Sequence, residues 1–450
     1  MNVVAQHLAD AMAIDELERQ MRFRRAWEAY HGEQPKPLKV RAGEPDDNAR
    51  VNYARLIVNK GVSILFGQDV TFELDETQRT RAEEWLDECW QSIGGMLLLQ
   101  KLALNGGVCG HAWAKVLPAK AGHMPGLAYP RVVVLDPANV SVGLAPDDIE
   151  EIVWYKIQYN AVDPNTGAPL VRRQWIRPDG NRWQITDEES RDGGSWVTLA
   201  ETLWPYPWAP VIDCQNLPLP NEFWGMADLE DDVLGLNASI DFVLSNLKRI
   251  IRFHAHPKTW ARGVSKDQLD INVDSVILLN NDAAELHNLE MQSDLSSSIT
   301  LYDRLREALH EVSQVPEVAT GKLGNVGQLS GLALQILYQP LIEKTEVKRR
   351  SYGALLVELN RRLLELGGFG PDNRTVLHWP QMLPDDQMAT RQVALIDQQL
   401  GVSEDTLLQQ LGYDPELERQ KRRSQEAEAG VRLLDDIEHG EAVDDEDEQA

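Results

Sequence analysis

Apolar positions recur at helical spacing over the first hundred residues and again beyond residue 226, with a stretch of period-two alternation between them. Leu8, Met12, Leu17, Met21 and Trp27 predict a helix over 8–30, which Pro35, Pro37 and Gly43 break. Val51, Ile57, Val58, Val62 and Leu65 predict a second over 51–66, stopped by Gly67 and followed by a short strand, VTFEL. A third helix is expected over 77–105, ending at Gly106 and Gly107. From 108 to 212 runs such as HAWAKVL, EIVWYKIQY and LVRRQWI are rich in β-formers and separated by Pro, Gly, Asp and Asn, which predicts a mostly antiparallel sheet. Eight of the thirteen tryptophans fall between Trp113 and Trp224 and are expected to fill the core of that sheet.

Beyond it, Leu229, Val233, Leu236, Ile240, Val243, Leu247 and Ile250 form one stripe of a long helix over 226–252. A small β insert follows over about 253–295, and a helix capped by Ser297 or Ser298 runs to Pro316. Gly321, Gly324, Gly327 and Gly331 mark a loop. A very long helix, 330–366, carries Leu355, Leu359 and Leu363 on its apolar face and Pro340 as a kink or early stop. A strand, RTVLHWP, and two or three helices complete the ordered chain, and 435–450 holds nine acids with neither Lys nor Arg, the pattern of a solvated tail. The fold class expected is α+β, and no internal repeat is visible.

Charge changes the picture more than composition does. Forty-four Lys plus Arg against 71 Asp plus Glu give a formal charge of −27, which repels a polyanion and argues against a high-affinity DNA-binding face. Cys89, Cys109 and Cys214 form no CxxC pair, so neither a disulfide framework nor a thiolate zinc site is expected, and a reducing compartment fits best. No apolar run approaches the ~18 residues of a membrane span, and the first twenty residues lack the basic and apolar regions of a signal peptide.

Catalytic constellations are sparse. His254 and His256 form an HxH pair of the kind metal-dependent hydrolases use, but no second pair stands at ligand spacing. The glycine loop meets neither the P-loop nor the dinucleotide spacing. Cys109 beside His111 imitates a thiol and its base, although burial is the better reading of the cysteine. The acid pairs Asp147-Asp148 and Asp231-Asp232 read as solvated surface, and no metal, cofactor or enzymatic activity is expected.

Four segments together resemble a known family: NYARLIVNKGVSILFGQDVTF at 52–72, LNGGVCGHAWAKVL followed by RVVVLDPANVSV, the helix containing SIDFVLSNLKRI, and GKLGNVGQLSGLALQILYQPLIEKTEVKR. They are similar to portal proteins of tailed bacteriophages, specifically the SPP1-like portals, over most of residues 10–400. The resemblance rests on segment order and soft motifs.

It implies a homo-oligomeric ring, typically of twelve subunits, at one capsid vertex, through which double-stranded DNA is packaged and later ejected. The implied partners are the terminase large subunit, head-completion or adaptor proteins, and the major capsid and scaffolding proteins. The implied location is the virion, with assembly in the host cytoplasm. The segments would be a wing (1–225), stem helix 1 (226–252), clip (253–296), stem helix 2 (297–315), tunnel loop (316–329), spine helix (330–367), wing return strand (368–384), short crown (385–434) and disordered acidic tail (435–450). Gly321, Lys322, Leu323, Gly324, Asn325, Val326 and Gly327 would form the tunnel loop, and Trp260, Arg262, Lys266 and Asp267 the interacting part of the clip.

An acidic channel suits moving DNA, because each neutralised phosphate adds affinity that holds the cargo in place. Lys344, Lys348 and Arg349, with Lys322, are the candidates for facing the channel and balancing the repulsion. Lys248, Arg249 and Arg252 can neutralise either their own helix C-terminus or a neighbouring acidic subunit. The alternatives are another minor capsid or head-completion protein, and a metal-dependent hydrolase built on His254 and His256. The order of long helix, β insert, helix, glycine loop and very long helix favours the portal.

Overall fold

The computed structural model describes residues 3–74, 80–119, 129–255, 259–262, 285–288, 295–320, 331–382, 387–411 and 415–422. It is a mixed helix and sheet fold in two compact units, Met1–Gln328 with Leu334–Met382, and Leu329–Ala333 with Leu383–Ala450.

The first unit opens with α1 (Val3–His31) and α2 (Tyr53–Phe66). Asn52 starts α2 by accepting from the Arg55 amide at 2.8 Å. The buried face of α1 is Phe23, Ala26 and Ala29, against Ala54, Ile57 and Val58 of α2. Leu17 and Met21, expected on that face, are exposed. The helix expected over 77–105 is two: α3 (Arg81–Ile93), with a Thr80–Glu83 capping box, and α4 (Met96–Cys109). The break falls at Gly94 and Gly95, both at positive φ, where a side chain is strained. Gly106 and Gly107 do not stop α4, which runs through them to Gly110 at φ +82°.

Two antiparallel sheets follow. Strands β2 (His111–Leu117), β3 (Arg131–Leu135) and β9 (Val211–Gln215) lie in the order β3-β2-β9. Strands β4 (Val140–Leu144), β5 (Ile152–Val162), β6 (Pro169–Asp179), β7 (Arg182–Ser190) and β8 (Val197–Trp204) lie in chain order as a meander. The alternation seen in the sequence becomes a buried face of Val140, Tyr155, Ile157, Ile176, Ile185 and Trp204, packed with Trp113 and Trp208. The tryptophans divide: Trp113, Trp204 and Trp208 are core, whereas Trp154, Trp175 and Trp196 are half-buried. There Arg177 lies 4.2 Å over Trp175 and Arg173 3.7 Å over Trp196, so these rings serve cations as well as packing.

The long helices are α5 (Asp231–Ala255), α6 (Ser296–Ser313) and α7 (Gly331–Leu366). Helices α5 and α6 pack on each other, and between them in sequence β10 (Thr259–Arg262) pairs antiparallel with β11 (Glu285–Asn288). The N-cap position of α6 is Leu295, so the serines expected there form its first turn instead. Helix α7 continues through Pro340 and buries Tyr352, Leu355, Leu356, Leu359 and Leu363 against α3 and α4. It is followed by β12 (Thr375–His378), which pairs with the short strand β1 (Thr71–Leu74). Trp90, Asn360 and Thr375 join α3, α7 and β12 by hydrogen bonds of 2.8 and 3.1 Å.

The second unit contains α8 (Gln387–Gln399) and α9 (Glu404–Gln410), the latter capped by Ser403, and a helical stretch at 415–422. The acidic 435–450 segment lies outside the described residues.

Candidate functional site

The most chemically loaded point in the first unit is the root of the long helices. Residue 216 and residues 225–228 run close to the end of α4: the Asn216 amide donates to Gly110 O at 2.8 Å, and the Asp228 amide to Gly107 O at 2.8 Å. Only glycine permits this approach. A Cβ on Gly110 would strike the Gly225 carbonyl, one on Gly106 the Tyr352 hydroxyl, and one on Gly107 would sit 2.9 Å from Asp228 Oδ2. Of the glycines that read as a helix stop in the sequence, Gly107 therefore makes room for a buried carboxylate and Gly106 for the Tyr352 hydroxyl.

Asp228 is 4% exposed and meets two lysines one turn apart on α7. Lys348 Nζ donates to Oδ2 at 2.6 Å, and Lys344 Nζ lies 2.9 Å from Oδ1. Lys344 Nζ also donates to the Ser313 carbonyl at 3.1 Å, at the end of α6. Ile57, Val315, Leu341 and Thr345 close around the group. Burial alone would raise the Asp228 carboxyl, but two ammonium groups and their hydrogen bonds win and hold it at about 2. Lys348 is pushed down, since desolvation and the second ammonium together oppose its single anionic partner. One carboxylate thus ties the lead into α5, the end of α6 and the middle of α7.

Polar groups on one face of α5 extend this fastening. Asn237, Asp241 and Ser245 recur every four residues and bond the backbone of 49–54: Ala54 N to Asn237 Oδ1 at 3.2 Å, Val51 N to Asp241 Oδ1 at 2.8 Å, and Ala49 N to Ser245 Oγ at 3.0 Å. Arg252 closes the row with a two-pronged grip on Asp47, at 2.6 to 3.2 Å, and Arg249 stands 3.7 Å from the same carboxylate. These two arginines neutralise an acid of their own chain.

The lysines expected to face a channel are committed inside this chain: Lys348 is 3% exposed and Lys344 nearly as enclosed, their ammonium groups held by Asp228 and Ser313. Arg349 donates to Pro380 O at 2.6 Å and stacks over Trp379 at 5.1 Å. It too is engaged within the subunit. The backbone of Trp260 and Arg262 lies on β10, opposite His287 and Glu285. Lys266, Asp267, the whole Gly321–Gly327 loop and His256 fall outside the described residues, and His254 lies in the last turn of α5. Cys109 is buried, and burial pushes its thiol well up; His111 Nε2 turns instead to Asp213 Oδ2 at 2.8 Å. Among the described residues no group of three or more potential metal ligands occurs, and no helix is long and apolar enough to cross a membrane.

Residues 225–430 match the family described as phage portal protein, SPP1 Gp6-like, which bears out the resemblance read from the sequence. That span contains Asp228, Ser313, Lys344 and Lys348. No curated protein matches the chain. Among solved structures, a chain from the neck of an empty GTA particle computed with C6 symmetry superposes with a TM-score of 0.52 at 12% identity, covering 80% of this chain and 90% of its own. A chain of the native gene transfer agent virion gives 0.46 at 12%, covering 83% and 95%. The first of these establishes a shared fold.

Proposed function

We propose that this chain is a portal subunit, the head-to-tail connector of a phage-like particle. The observation that carries the reading is the Asp228 clamp: within the span matching the portal family, one buried carboxylate fastens the roots of two packed helices to a 36-residue helix. Such a design gives a long lever a stiff base, as the wall of a channel under load requires.

In the finer reading α5 and α6 are the stem, β10 and β11 part of the clip, α7 the spine, and the sheets with α1–α4 the wing. The crown is then α8 and α9, and residues 321–327 form the tunnel loop. Copies close into a ring, twelve being the number the family resemblance implies. Double-stranded DNA passes through without sequence preference. The clip meets the terminase large subunit during packaging and head-completion proteins afterwards, while the wing faces capsid and scaffolding proteins.

The charge of −27 supports the role of conduit. Within a Debye length of about 8 Å an acidic wall repels phosphate and leaves DNA free to slide. Commitment of Lys344, Lys348 and Arg349 within the subunit removes three cations that would have gripped it. The direct experiment labels the carboxy terminus with gold in assembled particles and depletes the chain in parallel. The reading requires label at a single vertex and DNA-free heads on depletion; label over the whole shell contradicts it.

A further inference from the structure

We propose that β8 is an assembly edge, covered in the ring by a neighbouring copy of this chain; the proposal rests on the portal reading above. Among the described residues, strand β8 is the last in its sheet and pairs only with β7. Seven of its eight residues are exposed, on both faces, with only Trp204 buried. Val197, Leu199 and Leu203 are 63, 50 and 46% exposed, Val197 opposite Glu189 on one face of the sheet and Leu203 opposite Gln184 on the other.

Open strands are templates for pairing with other chains, and Lys, other charges, Pro, bulges or a covering element blunt them. The sequence VTLAETLW holds no Lys and no Pro. Its irregularity is Leu199, an extra residue between the Asp187–Ala200 and Glu188–Thr198 pairs. Each of the other edges of the two larger sheets receives at least one side-chain hydrogen bond from a helix. At β4, Glu16 of α1 is bonded to Ser141 and Arg19 reaches Val140 O at 3.5 Å. At β9, Arg362 takes the Val211 carbonyl at 2.8 Å and Ser351 that of Gln215. At β3, Asn105 holds the Leu135 carbonyl at 2.9 Å.

Charge selects the occupant. Two copies of a −27 chain repel each other over most approaches, so they meet at least cost where the surface is neutral. Strand β8 offers eight residues with one carboxylate, together with open backbone groups and apolar side chains that attract without charge. It has no cation for a nucleic acid. In a closed ring the contact is heterologous, β8 of each subunit meeting a different surface of the next, since β8-to-β8 pairing yields only dimers.

The test combines native mass spectrometry with hydrogen exchange on the wild-type chain, assembled and dissociated. The outward amides of 197–203 should exchange about tenfold or more slowly in the ring than in the free subunit. The double variant Val197→Lys/Leu199→Lys should keep the circular dichroism of the subunit and lose most of the ring population. A wild-type ring whose β8 amides exchange as in the free subunit overturns the proposal and leaves the portal reading standing. Slowing of β8 exchange only on addition of capsid protein also overturns it, in favour of that partner. If the wild-type chain forms no ring, the portal reading fails and this proposal with it.

Discussion

Lys348 Nζ stands 2.6 Å from Asp228 Oδ2 across 120 residues of sequence, and both side chains are almost wholly withdrawn from solvent. Lys344 completes the group from one turn earlier on α7 and carries the connection on to Ser313. Because the cations outnumber the anion, the cluster depends on Asp228 more than on either lysine.

Asp228→Asn should therefore destabilise the subunit by about 3–5 kcal/mol, since it strands two buried ammonium groups. Replacing all three at once, Asp228→Leu with Lys344→Met and Lys348→Met, should recover most of that loss. Denaturant titration of the two variants checks the contrast; equal losses would assign the cost to shape instead of charge.

The same carboxylate sets an acid limit. Its folded value of about 2 lies below its ordinary 3.8, so its stabilisation is complete above 3.8 and disappears as pH falls through 2. The contribution is about 2 kcal/mol. Unfolding free energies measured from pH 6 to 2 should fall more steeply for the wild type than for Asp228→Asn over the lower half of that range.

Glycine substitutions should separate packing from propensity. Gly107→Ala places a Cβ 2.9 Å from Asp228 Oδ2 and 3.0 Å from Val58 Cγ1, and should cost about 1–3 kcal/mol. Gly235→Ala, in α5 with no neighbouring atom within 4 Å, should stabilise the dissociated subunit by about 0.5–1 kcal/mol. Thermal melts of the two proteins should move in opposite directions.

The polar row on α5 makes a separate forecast. Asn237→Ala leaves the Ala54 amide without its partner, while the Val51 carbonyl keeps the Tyr53 amide, and should cost about 1–3 kcal/mol. Hydrogen exchange should then accelerate first at residues 49–54; uniform acceleration over the unit would argue against a local clasp.

Function is addressed by the glycine loop. Gly324→Pro with Gly327→Pro should reduce DNA packaging while leaving ring assembly intact, because proline restricts the backbone of the proposed tunnel loop. Packaging at wild-type yield would remove that role from the loop.

The sequence carried the element order well where spacing and burial coincide. Helices α2, α5 and α7 and the meander follow their apolar periods. It misled at Gly106 and Gly107, because glycine marks a stop and a close approach with the same letter, and only Asp228 and Tyr352 reveal which applies. Lys344 and Lys348 read as a solvated face because the carboxylate that buries them is remote in the chain. The LNGGVCG run and the acid in ADLEDD were the visible traces of the clamp, yet nothing local linked them. The two arginines at the end of α5 looked available for neighbours for the same reason, until Asp47 supplied their partner.

The central claim is that this chain closes into a channel, and native mass spectrometry of the purified protein tests it most directly. One dominant species of about a dozen 50.7 kDa chains is expected, with an open centre in matching top views. A monomer or dimer that persists across salt and concentration would contradict it.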